Sequence, residues 1–280
     1  MQIRTDLALE SVNTDDLPGA VHIKERGKAF RITEVTIADD SCTGITGKGK
    51  GRYVTLEYSD ISGFSDDYRD MVHELAEELQ SFIPDGDILV VGLGNSDITP
   101  DAIGPLTVSK VLATRHIRSE FGDSGILCSL RPVSSFSGGV LGQTGIETAE
   151  IVKAVADMIK PSAIIAADAL ACSDISRLGK TVQISDAGIS PGSGVSNARK
   201  ELSEAVMGVP VIAVGVPTVV DMHTIVRSLT DSETGEDMPN MIVTPRDIDR
   251  LTERASQLLA FGLNLALQPS MSFEDVRGIF

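Results

Sequence analysis

Short apolar runs alternate with segments of helical periodicity along most of this chain. Residues 87–93 and 163–168 are almost continuously apolar, as expected of strands that are buried on both faces of a sheet. Further apolar or β-branched segments predict strands at 29–38, 52–58, 126–131, 181–184 and 210–216. Apolar residues at helical spacing predict helices from Ser65 to Phe82, at about 101–119, at 147–159 and at 245–266.

This alternation predicts an α/β fold with a mostly parallel central sheet that is covered by helices on both faces. The first two strands predict a small N-terminal β extension. Three polar segments fall outside the pattern. Residues 1–18 are predicted to be an extended or mobile arm, and residues 230–240 an exposed acidic insertion. Residues 132–145, rich in glycine, serine and threonine, predict a long functional loop that acts as a lid.

Charge and composition narrow the classes of function. The net charge is −16, from 24 basic and 40 acidic residues, which disfavours direct binding to nucleic acid. The chain has no apolar run long enough to span a bilayer and no secretory signal, so we expect a cytoplasmic protein without a membrane partner. Its three cysteines lack CxxC spacing and predict reduced thiols: Cys42, Cys128 and Cys172.

Two aspartates, Asp101 and Asp168, follow the two most apolar segments and are the strongest candidates for chemistry. Ligands bind at the carboxyl ends of the strands in an open parallel sheet, so both carboxylates are expected to face one crevice. Two carboxylates at one site can share a proton and activate a water molecule. The pair therefore predicts a hydrolase of the acid type.

Structural roles are the alternative for both aspartates. Asp101 stands in the first turn of a predicted helix, after Thr99 as a plausible N-cap and Pro100, where an acid complements the helix dipole. Asp97 has the same ambiguity. Asp168 ends an apolar run and needs a partner or a function, of which capping nearby amides is the simplest.

A glycine turn, Gly92-Leu93-Gly94, raises the further alternative of a nucleotide-binding α/β module. A dinucleotide site requires a third glycine, which this turn lacks, and an acid after the next core strand, where Arg131 stands instead. We therefore expect these glycines to allow close approach of the backbone to the crevice.

Several longer stretches in this chain resemble one known family. VVGLGNSDITPDAIGP, IIAADALA, ISPGSGVSNAR and VIAVGVPTVVD are similar to blocks of the germination proteases, or spore proteases, of spore-forming bacteria. RTDLALE near the N-terminus resembles the processing region of that family. These blocks occur in order between residue 4 and about residue 221.

The resemblance implies a three-layer α/β/α fold like that of hydrogenase-maturation endopeptidases, and an atypical aspartic endopeptidase with Asp101 and Asp168 as the catalytic pair. It implies that the enzyme degrades small acid-soluble spore proteins during germination, in the spore core, and forms a homo-oligomer. No cofactor is implied. A metal bridging the pair, as in a metal-dependent processing peptidase of the hydrogenase-maturation type, remains an alternative.

The resemblance also implies a zymogen that removes its own N-terminal segment. Residues 6–10 have the order acid, aliphatic, alanine, any residue, acid, like the sites that the family cleaves. We therefore expect cleavage between Asp6 and Leu7, which divides the chain into a propeptide at 1–6 and a single peptidase domain at 7–280. The substrate backbone is expected to be recognised by the predicted loop at 132–145.

Overall fold

A mixed β-sheet forms the centre of the computed structural model, which describes residues 5–11, 21–39, 47–58, 67–117, 130–192, 199–230 and 241–280. The spatial order of its strands is β1-β2-β3-β7-β8-β6-β4-β5, and β9 pairs with the end of β8. The strands are β1 (Val21–Arg26), β2 (Arg31–Ile37), β3 (Gly51–Glu57), β4 (Ile88–Gly92), β5 (Val133–Ser137), β6 (Ala163–Ala171), β7 (Thr181–Ser185), β8 (Val211–Asp221) and β9 (Ile242–Val243).

The centre of the sheet is parallel, and its N-terminal side is antiparallel. Strands β5, β4, β6 and β8 run parallel to one another. Strand β7 is antiparallel to β8 and joins it to the antiparallel strands β3, β2 and β1. The predicted α/β class with a β extension is therefore confirmed. Strand β1 was not predicted, because its sequence VHIKER is largely polar and lies at the edge of the sheet.

Helices cover both faces of the sheet, which confirms the three-layer arrangement. One face packs against α2, α3 and α8, and the other against α5 and α6. None of the helices in the described ranges is long and apolar enough to cross a bilayer. The helices are α1 (Ala8–Ser11), α2 (Tyr68–Gln80), α3 (Ile103–Val108), α4 (Leu141–Thr144), α5 (Thr148–Ile159), α6 (Glu204–Met207), α7 (Met222–Thr230), α8 (Ile248–Leu267) and α9 (Phe273–Ile279).

Several predicted boundaries near the crevice were wrong. Strand β6 continues through Asp168 to Ala171, because the parallel strand β8 extends beside it to Asp221. The helix predicted at 101–119 is the shorter α3, preceded by a 3-10 turn at Thr99–Asp101. Residues 132–145 are not a long loop, since they contain β5, which pairs with β4, and α4.

The N-terminal segment, predicted to be an extended or mobile arm, is not mobile where the structure describes it. Residues 5–11 dock against the sheet, and the side chains of Leu7 and Ala8 are fully buried. Other predictions fall outside the described residues: the helix start at Ser65, most of the strand at 126–131, the acidic segment after Thr230, and Cys42 and Cys128.

Candidate active site

Asp168 lies within β6, directly beyond the level at which the neighbouring strand β4 ends. Strand β4 ends at Gly92, which pairs with Ala167 of β6, so Asp168 is the first residue of β6 beyond that neighbour. On its other side, Asp168 pairs with Gly215 of β8. Its side chain is only 4% exposed. The carboxylate is thus held inside the protein, on the sheet face opposite that of Ala167.

Asp101 reaches the same region through the 3-10 turn that follows β4. The hydroxyl of Thr218 in β8 donates to the carbonyl oxygen of Pro100 at 2.6 Å, and that of Thr252 in α8 donates to Thr99 at 3.3 Å. Thr218 is buried at the point where the register of β6 and β8 shifts. These two hydroxyls fix the turn that carries Asp101.

Glycines allow this turn to pack tightly on the ends of the strands. Gly94 has a φ of +105°, and a Cβ atom there would lie 2.1 Å from the Asp101 carbonyl oxygen. A Cβ atom on Gly92 would lie 2.5 Å from the carbonyl oxygen of Gly104. Both glycines thus allow two backbone segments to pack closely at this turn.

The electrostatics of Asp168 depend on burial and on two other acids. Burial raises the pKa of Asp168 well above its usual value, and the nearby carboxylates of Asp101 and Asp6 raise it further. A hydrogen bond of 2.9 Å from the amide of Ala169 opposes the shift. The structure thus brings Asp101 within electrostatic range of Asp168 and favours a proton on the buried member.

Asp101 has a more polar environment. Burial raises the pKa of Asp101 above its usual value, and the amide of Asn95, which donates to its Oδ2 at 2.8 Å, only partly offsets this shift. The carboxylate of Asp97, by contrast, belongs to an exposed residue and accepts from Gln143 at 3.1 Å. Of the two acids in this loop, Asp101 is the one that influences the charge of Asp168.

The predicted cleavage point lies near Asp168, because the carboxylate of Asp6 contributes to the raised pKa of Asp168. Asp6 lines a cavity of about 400 Å³ together with Lys48, Gln183 and Gly215. Gln183 and Gly215 are paired across β7 and β8, and Gly215 pairs in turn with Asp168. The part of the cavity lined by Gly215 of β8 is therefore on the strand next to that of Asp168.

Metal and thiol chemistry find less support near the pair. In the ranges that the structure describes, no three histidine, cysteine or acidic side chains cluster so as to hold a metal ion. Cys172 is buried, and burial raises its pKa to about 12, which keeps it a thiol at neutral pH.

Sequence comparisons identify the family. The sequence profile described as "Germination protease" matches residues 2–232, which include every candidate residue above. The germination protease of Clostridium tetani is 39% identical over 99% of this chain and 98% of its own length. That of Caldanaerobacter subterraneus is 40% identical over 98% and 97%, and that of Bacillus subtilis 34% identical over 98% and 95%. This chain belongs to the germination protease family, and its class of activity is that of a peptidase.

The germination protease fold also has a distant match among solved structures. The hydrogenase maturation protease HycI of Thermococcus kodakarensis is 17% identical, with a TM-score of 0.34 over 66% of this chain and 98% of its own.

Several residues of this germination protease site were not predicted from the sequence. Gln183 and Thr218 are polar residues between apolar neighbours in their strands, which is a weak local signal. Lys48 donates to the carbonyl oxygen of Thr5, and Ser173 binds the carboxylate of Glu10; nothing in the sequence neighbourhood of Lys48 or Ser173 indicated contact with the N-terminal segment. Their roles depend on pairing between segments far apart in the chain.

Replacing Asp168 with asparagine should stabilise this germination protease at neutral pH. The pKa of Asp168 is higher in the folded than in the unfolded chain, so folding is favoured at low pH and weakened as the pH rises past the usual carboxyl value of about 4. Asparagine does not titrate. We expect its free energy of unfolding to exceed that of the parent by roughly 1–3 kcal/mol at pH 7, with a smaller difference at pH 4.

Urea unfolding of both chains at several pH values measures this difference. The exposed Asp97→Asn substitution is the matched control and should leave stability within about 0.5 kcal/mol. A less stable Asp168→Asn chain, or a difference that does not change with pH, would contradict the prediction.

Proposed function

We propose that this protein is an endopeptidase that initiates degradation of small acid-soluble spore proteins during germination, in the spore core. Membership of the germination protease family supports a protein substrate. The observation that carries the chemistry is the buried Asp168 next to Asp101, beyond the end of β4. The charge of −16 disfavours bare DNA as a partner, so the enzyme is proposed to recognise the polypeptide itself.

The proposed reaction is attack of water on the scissile carbonyl. The pKa is raised at both residues but more strongly at Asp168, so Asp168 is proposed to be the neutral acid that donates a hydrogen bond to the carbonyl oxygen, and Asp101 the ionised partner that takes a proton from the water. The resulting hydroxide oxygen bonds to the carbonyl carbon. Asp101 then passes its proton to the leaving nitrogen as the peptide bond breaks. The two carboxyls titrate as a coupled pair.

The protein is further proposed to be a zymogen that cleaves itself between Asp6 and Leu7. Asp6 is close enough to raise the pKa of Asp168, which supports cleavage of this bond at the same site. The proposed reaction uses no metal ion. A metal-dependent processing peptidase would differ in losing activity to chelators and in carrying stoichiometric metal.

Incubation of the purified chain at mildly acid pH tests self-cleavage, with intact-mass analysis as the readout. We expect loss of residues 1–6 and a new chain that starts at Leu7. Asp168→Asn should remain uncleaved under the same conditions. A different start, or processing that persists in Asp168→Asn, would contradict this mechanism.

Cleavage of a small acid-soluble spore protein by the same preparation tests the function itself. The expected fragments begin with an aliphatic residue that followed an acid. An intact substrate after incubation with folded, processed enzyme would refute the proposed function.

A further inference from the structure

The side chain of Gln183 holds the backbone on both sides of the Asp6–Leu7 bond. Its Nε2 donates to the carbonyl oxygen of Asp6 at 2.8 Å, and its Oε1 accepts from the amide of Ala8 at 2.7 Å. The carboxamide of Gln183 thus pairs with one acceptor and one donor of the bound backbone, and these contacts do not depend on the side chains of the bound segment. Gln183 is only 7% exposed, so its orientation is restricted by packing.

Asp6 and Leu7 extend this contact onto β6. The amide of Asp6 donates to the carbonyl oxygen of Ala171 at 2.9 Å, and the amide of Ala171 donates to Oδ2 of Asp6 at 2.8 Å. The Leu7 side chain is fully buried in a cluster with Leu170, Cys172 and Val220. The carboxylate of Asp6 and the aliphatic side chain of Leu7 therefore each occupy a defined position against the sheet.

Glu10 occupies a separate anion site. Its carboxylate accepts from the amide of Ser173 at 2.6 Å, from the Ser173 hydroxyl at 2.7 Å and from the amide of Asp174 at 3.1 Å. The Thr5 hydroxyl also donates to it, and the Arg177 guanidinium lies 3.7 Å away. The side chain of Glu10 is 2% exposed. Charge-assisted hydrogen bonds from this many donors select a carboxylate over a neutral side chain.

We propose that this surface is the substrate site on the C-terminal side of the scissile bond, occupied in this structure by the chain's own residues 5–11. Gln183 binds the substrate backbone, and Leu170, Cys172 and Val220 receive the aliphatic residue. The site formed by Ser173, Asp174 and Arg177 binds the acid that lies four residues beyond the acid preceding the cleaved bond. This inference rests on the proposed function, and it assigns the residues that bind the substrate of the enzyme.

Competition between the chain and its substrate follows from this arrangement. Cleavage after Asp6 leaves residues 7–11 attached, so Glu10 remains able to occupy the anion site. A substrate gains access only in the fraction of molecules whose own segment has dissociated, which weakens its apparent affinity. Loosening the chain's own segment should consequently improve binding of a peptide in trans.

Peptide binding to the full Asp168→Asn chain tests the proposal without any cleavage. The probe is a fluorescent peptide with the sequence of residues 4–12, and the readout is its apparent Kd by anisotropy. Changing the peptide's counterpart of Glu10 to glutamine should raise Kd roughly tenfold. In the protein, Ser173→Ala made together with Glu10→Gln, so that the chain's own segment competes less, should raise Kd about threefold or more relative to Glu10→Gln alone. The matched control is Ser176→Ala, whose hydroxyl binds Asp174 and makes no hydrogen bond to Glu10, and it should stay within about twofold.

The direction in which Glu10→Gln in the protein changes the apparent Kd is the decisive result. This substitution should lower the peptide's apparent Kd about threefold or more, opposite to Ser173→Ala, because it weakens only the competing segment. A purely structural contact would make both substitutions unfavourable or neutral for binding. Equal Kd values for the glutamate and glutamine peptides, which need no further protein variant, would overturn the proposal.

The outcomes also separate this proposal from the proposed function. Binding with the expected signs, but no cleavage by the parent chain, would refute the peptidase function and support the peptide site. Cleavage of both peptides with equal kcat/KM would leave the function intact and overturn the site.

Discussion

Asp168→Asn and Asp101→Asn should each lower kcat for cleavage of a small acid-soluble spore protein by about 10³-fold. In the proposed reaction Asp168 stabilises the developing oxyanion as a neutral acid, and Asp101 removes the proton from water. An asparagine at position 168 is a much weaker hydrogen-bond donor than a neutral carboxylic acid, so it stabilises the oxyanion less. An asparagine at position 101 cannot act as a base.

Asp97→Asn is the matched control for this prediction, because Asp97 stands in the same loop, four residues before Asp101, and is exposed. Its kcat should remain within about threefold of the parent value. Initial rates over a range of substrate concentrations separate kcat from KM. If either asparagine variant at the pair cleaved at the parent rate, that residue would have no catalytic role.

Gly104→Ala should destabilise the fold by about 3 kcal/mol and abolish most of the cleavage activity. A Cβ atom at this position would lie 2.2 Å from the carbonyl oxygen of Leu93 and 2.4 Å from that of Ala167. Both are backbone atoms, one directly after β4 and the other within β6, so neither can move aside as a flexible side chain would. The added methyl group therefore forces α3 away from the sheet.

The location of this contact explains why activity should fall together with stability. The amide of Leu93 donates to the carbonyl oxygen of Ala167 at 2.8 Å, which ties the end of β4 to the residue before Asp168. Displacing α3 also displaces the preceding turn, and with it Asp101. Urea unfolding and kcat/KM measure the two effects.

Gly142→Ala provides the control for the glycine prediction, since a Cβ atom there would meet nothing within 4 Å. It should leave the free energy of unfolding unchanged or slightly higher, because alanine favours the helix. A Gly104→Ala chain as stable as this control would show that the sheet and α3 can separate at little cost.

The order of strands and helices was largely predictable, because hydrophobic periodicity is a local property of the sequence. Buried parallel strands such as β4 and β6 are recognisable from continuous apolar runs, and the place of Asp101 and Asp168 near their ends follows from those runs. Residues 132–145 were mispredicted for the same reason. Their polar composition indicates a loop, whereas pairing with β4 makes a strand of residues 133–137.

The amino-acid sequence alone thus determined the α/β class, the family resemblance and the two candidate aspartates. Only the tertiary structure decided that Asp168 is buried, that Asp6 lies near it, and that Gln183 and Ser173 hold the N-terminal segment. Gln183 is separated from Asp6 by 177 positions, and Ser173 from Glu10 by 163. Contacts over such separations depend on how the layers pack and on which polar groups burial leaves in need of partners, and no local pattern encodes either.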